Sequence, residues 1–282
     1  MYNKLREDLE DIFEYWESDV CDDDVSDLSR EKLKDVLEQS DSFKLYRYMP
    51  TEYFNIRNIE TQTIHLSSNG VMNDAFEGLP ETNNEVTATQ LKQLGNLAYM
   101  VCLTESNKNL LMWSHYARNH EGICVEYDLK LLKDDPYKIL EHIFPVVYRH
   151  KRHYIRDIES LITSHNDLCI AIRDECDYCG EERLDDILPM FLSKSREWEY
   201  EKEWRILYTL KQMYEINSQE LYACNLGFPC ISAVYLGCRI HPEIRKNILE
   251  ICERNSKDGF RISVYQAKLS NSTYEILFDK IF

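Results

Sequence analysis

Glycine is scarce in this chain, with eight in 282 residues. None of the patterns G-x-G-x-x-G, G-x-x-x-x-G-K-[ST], G-x-S-x-G or H-E-x-x-H occurs. A glycine-rich phosphate cradle, a nucleophile elbow and a helical zinc pair are therefore set aside. Long apolar runs are missing too. No stretch approaches 18 apolar residues, so no membrane span and no membrane partner are expected. The start, Met1 to Glu10, has no apolar signal core. A cytoplasmic location is expected, with the ten cysteines as reduced thiols rather than a disulfide framework. Cys176 and Cys179 form a lone C-x-x-C without a second ligand pair at standard spacing, so no metal is expected.

Positive charge is in short supply: 33 Lys and Arg face 50 Asp and Glu, a net charge of −17. Such a chain repels phosphate polymers unless a local basic patch overrides the average, so nucleic acid is not the expected partner. The clearest basic run, Tyr148 to His153, reads as a solvated loop. Residues Glu17 to Asp27 carry six acids and no base. Their Asp22-Asp23-Asp24 lacks the Gly and Glu offsets of a calcium loop and reads as an interhelical connection.

What the chain has in quantity is aromatic residues: 19 Tyr, 10 Phe and 4 Trp. Most are expected in the core, with a minority free to line a nucleotide pocket. Leu5, Leu9, Ile12, Phe13 and Trp16 recur at helical spacing, and a second short helix is expected from Ser29. Residues 1–40 thus read as a helical leader packed on a main domain of residues 41–282. That domain alternates irregularly. Strands are expected at 43–48, 63–67, 97–104, 123–127, 144–148, 203–209, 231–236, 262–267 and 273–278. Helices are expected at 51–60, 85–94, 109–120 and 242–254, with two more within 154–195. Without strict β-α-β alternation this is an α+β fold, a mixed or antiparallel sheet core with surrounding helices.

Four polar and aromatic clusters stand out. Leu45-Tyr46-Arg47-Tyr48 places a guanidinium in an apolar strand, where it needs a partner unless the strand is at an edge. Leu66-Ser67-Ser68 is followed by Met72-Asn73-Asp74-Ala75-Phe76-Glu77, a run that turn chemistry alone also accounts for. On a helix through Leu111-Met112-Trp113-Ser114-His115-Tyr116, Met112 shares a face with Tyr116 and Leu111 with His115. If residues 196–205 are extended, Glu199, Glu201, Glu203 and Arg205 fall on one face, opposite Trp198, Tyr200 and Trp204. Glu199 and Glu201, further from the apolar run, are expected to be solvated. Trp113 and Trp204 are expected to be buried beneath the site.

With these clusters, Val101-Cys102-Leu103-Thr104-Glu105 and Gly122-Ile123-Cys124-Val125-Glu126-Tyr127, the sequence resembles the bacterial domain-of-unknown-function family 2971 over roughly residues 43–240. The family name carries no reaction, and Ala75 stands where the family commonly has Pro. A looser similarity is to ADP-ribosyltransferase-like domains: a strand with Arg, a short helix, a strand ending in Ser, and a later strand with Glu. That resemblance implies NAD as substrate and a small nucleotide or protein as acceptor. It implies Arg47 as the first-strand residue, Ser67 as the second-strand residue and Glu203 as the carboxylate beside the nicotinamide ribose. Tyr48, Asn73, Asp74, Trp113, His115, Tyr116 and Arg205 complete the candidate substrate site. Arg47, Asn73, Asp74, His115 and Glu203 are expected around one concavity. Three functions remain open: an NAD-using transferase or NAD-cleaving effector in bacterial defence or toxin systems; a nucleotide- or nucleic-acid-processing hydrolase; and a non-catalytic module that binds a ligand or partner.

Overall fold

A computed structural model describes residues 2–17, 42–68, 74–83, 85–132, 135–173, 184–216 and 225–282. The helix expected from Ser29, Asp22–Asp24, Asn73 and the Cys176–Cys179 pair lie outside the described residues. The remainder is an α+β fold on a mixed sheet.

Helix α1 (Tyr2–Glu17) buries Leu5, Leu9 and Phe13, one apolar stripe at four-residue spacing. Strand β1 (Lys44–Met49) leads to helix α2 (Tyr53–Thr61), then to β2 (Thr63–His65) and β3 (Ser67–Ser68). Helix α3 (Ala88–Gly95) begins with a capping box, Thr87 accepting from the Gln90 N–H, and leads into β4 (Ala98–Thr104). Helix α4 (Leu110–His115) and β5 (Ile123–Asp128) follow, then β6 (Ile143–Pro145) and β7 (Val147–Arg149). Helices α5 (Ile158–Arg173) and α6 (Leu184–Leu192) precede β8 (Ser193–Ser195) and β9 (Glu203–Thr209). Helix α7 (Leu210–Ile216), β10 (Asn225–Gly227), β11 (Ile231–Leu236), α8 (Pro242–Lys257), β12 (Ser263–Leu269) and β13 (Ile276–Lys280) complete the chain.

The main sheet runs β13-β12-β11-β5-β1-β4-β9-β6, with β3 added against β4. Only β11 and β12 are parallel within it, and α8 is their crossover. One face carries a core that includes Leu45, Val101, Val125, Trp204 and Ile206, covered by Ile59 of α2 and Ile248 and Ile251 of α8. The opposite face carries two separate apolar clusters. One, with Met100 and Leu207, packs against α1, α3, α5 and α6. The other, with Tyr48, Cys124 and Tyr235, packs under Trp113 of α4.

Local chemistry divides several expected elements. Residues 63–67 are two strands: β2 pairs with β10 and β3 with β4. Residues 144–148 also split. β6 ends at Pro145, which has no N–H for a ladder, and β7 pairs in parallel with β8 instead. Helix α4 stops at His115, and Arg118, Asn119 and His120 take successive left-handed φ values of 47°, 52° and 70°. The extended reading of 196–205 is corrected as well. Arg196–Glu201 is a 3-10 helix capped by left-handed Lys202, so only Glu203 and Arg205 alternate on one strand face.

Candidate functional site

The site lies where the sheet opens. β1 and β4 meet at a single pair, Tyr46 opposite Thr104. Beyond it β1 stays on β5, while the same edge of β4 is taken up by β3 only at Met100 and Tyr99. Val101, Cys102 and Leu103 have no strand on that edge among the described residues. A cavity of about 280 Å³ fills the opening and is lined by these three residues, Arg47, Tyr48, Ser67, Tyr116, Glu77, Lys194, Glu201 and Glu203. Strand alternation puts Arg47 on the side of Leu45 and Met49, and Glu203 on the opposite side from Trp204. The cavity therefore receives side chains from both faces of the sheet.

Its wall is a network of buried charge. Arg205, fully buried, donates from Nε to Glu203 Oε1 at 2.7 Å and from an NH2 group to Oε2 at 3.1 Å. It also binds Glu77 and donates to the Phe191 carbonyl. The Lys194 ammonium lies 2.7 Å from Glu201 and 2.9 Å from Glu203. Tyr116 donates to Glu201 Oε1 at 2.6 Å. All five charged side chains are at most 7% exposed. Three carboxylates face two cations, a net charge of −1 before Arg47 is counted. Arg47 has no ion pair among the described residues, although it lines the same cavity.

The two glutamates at the cavity are driven apart. Burial by itself would raise the pKa of Glu203, but the charges of Arg205 and Lys194 outweigh it and hold the carboxyl far below its ordinary range. Glu201 moves the other way: burial and the negative charge of Glu203 raise it against the pull of Lys194. Burial pushes the Cys102 thiol up, so it stays protonated.

Local structure explains the placement. The Asn109 side chain caps α4 by accepting from the Leu111 and Met112 N–H groups, and its amide donates to the Tyr200 carbonyl at 2.7 Å. That bond ties α4, whose C-cap is Tyr116, to the 3-10 helix carrying Glu201. Asp74 accepts from the Phe76 N–H at 2.9 Å, and the resulting turn presents Glu77 to Arg205. Trp204 donates to Glu105 at 2.9 Å, and Glu105 pairs with Arg6 of α1 at 2.7 Å. Helix α1 thus braces β9 from behind.

Of the residues singled out in the sequence, Arg47, Tyr48, Ser67, Tyr116 and Glu203 come together around this cavity. Arg205 sits behind Glu203, and Trp113 is buried with its indole N–H on the Asn107 carbonyl. Asp74 lines a neighbouring cavity instead, and His115 is exposed and lines neither. Glu201, expected in solvent, is 3% exposed; its 3-10 helix turns it inward. Sequence reasoning missed Lys194 and did not single out Glu77. The available signals were a lone Lys after the apolar run Ile187–Leu192 and a Glu three residues beyond an Asp turn. Among the described residues no group of His, Cys, Asp and Glu is arranged to hold a metal ion, and no helix is long and apolar enough to cross a membrane.

No curated protein and no solved structure matches the chain. A family described as protein of unknown function, DUF2971, matches residues 112–206. The matched stretch contains Tyr116, Lys194, Glu201, Glu203 and Arg205, so the resemblance to this family read from the sequence motifs stands over the segment that supplies most of the charged wall.

Proposed function

We propose that this protein binds NAD and breaks its nicotinamide–ribose bond, passing the ADP-ribosyl group to water or to an acceptor. One observation carries the reading: the Arg47 guanidinium and two carboxylates whose pKa values are shifted in opposite directions share the cavity at the opening of the sheet. Breaking the C1′–N bond releases neutral nicotinamide and leaves positive charge on the ribose. Glu203, held ionised by Arg205 and Lys194, offers fixed negative charge there. Glu201, ionised but with a pKa raised by burial and by Glu203, is the stronger base of the two and accepts the proton of the incoming nucleophile as its oxygen or nitrogen bonds to C1′. Arg47 is suited to donate to carboxamide or hydroxyl oxygens of the nicotinamide–ribose end. The volume fits the nicotinamide–ribose end rather than the whole dinucleotide.

The test is nicotinamide release on incubation with NAD. The wild type is expected to release it, Glu201→Gln to lose at least about 100-fold in kcat, the usual range for a general base, and Arg47→Ala to raise KM. An inactive wild type across water and candidate acceptors refutes the reaction. The full engagement of Glu203 by two cations favours a second reading, a module that binds the nucleotide without turnover. NAD binding without nicotinamide release distinguishes it.

A further inference from the structure

Within the basic run Tyr148–His153, read from sequence as a solvated loop, residues Arg149 to His153 form one wall of a second cavity of about 360 Å³. Its placement is built in. Parallel pairing of β7 with β8 sets Tyr148 opposite Lys194 and Arg149 opposite Ser195. At the other end, the Glu81 N–H donates to the His153 carbonyl at 2.7 Å and the Ile155 N–H to the Glu81 carbonyl at 2.9 Å. The segment is therefore strapped at both ends, with the Arg152 guanidinium 5.8 Å from the centre of the Phe76 ring.

Two acids, Asp74 and Glu81, also line this cavity, against the fixed cations Arg149, Lys151, Arg152 and Lys194. The balance is +2 before His150 and His153 are counted, in a chain whose net charge is −17. Ser193, another lining residue, has a buried hydroxyl without a hydrogen-bond partner among the described residues. Such a group is costly unless something binds it. Lys194 lines both this cavity and the one that holds Glu201 and Glu203, so the two adjoin.

We infer that the second cavity binds the phosphates of the nucleotide whose ribosyl bond reacts in the first. The inference rests on the nucleotide reading above and adds where the anionic arm goes. Guanidinium, ammonium, imidazole and hydroxyl groups are the donors that phosphate oxygens require. A local positive wall in an acidic chain also steers an anion to this mouth and away from the rest of the surface.

Titration with inorganic pyrophosphate tests the site directly, using wild type and Lys151→Ala/Arg152→Ala. Both side chains are exposed, so the double variant is expected to keep the wild-type melting temperature. The expected result is pyrophosphate binding weakened at least tenfold, with a raised KM for NAD and an unchanged kcat. Binding absent in the wild type, or equal in the two proteins, overturns the site. Weakened pyrophosphate binding with an unchanged KM for NAD overturns the assignment to this nucleotide. If the wild type binds pyrophosphate through these residues yet never cleaves NAD, the reaction fails and the anion site stands. If NAD is cleaved with no change in KM or pyrophosphate affinity, the reaction stands and the site fails.

Discussion

Glu201 and Glu203 stand two residues apart and respond to protonation in opposite senses. In the unfolded chain both carboxyls titrate near about 4.3. Folded Glu203 lies well below that, so the unfolded state takes up its proton first. The stability from ionised Glu203 is therefore fully present above the ordinary carboxylate range and is lost as pH falls from there through the depressed folded pKa. Folded Glu201 lies above the unfolded value, so its contribution is complete at low pH and is lost as pH rises through the raised pKa. Neutralising each has opposite consequences at pH 7. Glu203→Gln leaves Arg205 and Lys194 short of charge and is expected to cost about 3–5 kcal/mol, as for a broken buried pair. Glu201→Gln removes a like charge and is expected to match or exceed the wild-type melting temperature while losing turnover. Thermal melts at several pH values check both, and a destabilised Glu201→Gln would contradict the assignment. Trp204, fully buried against Phe43 at a 5.3 Å ring separation, is a packing residue behind the site. Trp204→Ala is expected to cost about 3–5 kcal/mol, measurable by urea denaturation.

At the scale of elements, the turn between α4 and β5 holds the site's geometry. Three left-handed residues bring the chain round to Gly122. A Cβ there would lie 2.5 Å from the Met49 carbonyl oxygen and 2.8 Å from Ala117 backbone atoms. Both obstacles are backbone, so they yield only if β1 or the turn moves. Gly122→Ala is expected to cost about 1–3 kcal/mol and, by shifting β1 relative to α4, to weaken catalysis as well. Wild-type stability in that variant would show that the approach is less tight than described. The glycine was legible in the sequence only as the end of a helix. Its reason is a contact with a strand some 70 positions earlier, which no local pattern encodes. The amphipathic stripe of α1 was legible because its partners lie within a few residues.

For the whole molecule, the opening between β1 and β4 governs what the protein can bind. A ligand that bridges it stabilises the folded state by about 2.7 kcal/mol at one hundred times its Kd. NAD, or an analogue that resists cleavage, is therefore expected to raise the melting temperature of the wild type and to have a much smaller effect on Arg47→Ala. Differential scanning fluorimetry decides it, and an equal shift in both proteins would remove Arg47 from the site. Most of the strands and the α+β class followed from period-2 and period-3.6 patterning, since burial of one face is written into neighbouring residues. The extended reading of 196–205 was wrong because alternating charge mimics a strand, while the actual 3-10 turn depends on contacts made by Ser195, Asn109 and Thr104.

Composition and local spacing by themselves determined the fold class and the burial of Trp113 and Trp204, while Arg47, Ser67 and Glu203 were drawn together by the resemblance to ADP-ribosyltransferase-like domains. Tertiary structure alone decided that Lys194 and Glu77 join Glu203, that Glu201 turns inward, and that the basic run 149–153 walls a cavity. The reason is physical. A side chain's hydrophobic periodicity is a property of its own segment, but its charge environment is set by whatever the fold brings within a few ångströms, and here the five charged groups of the network come from residues 77 to 205.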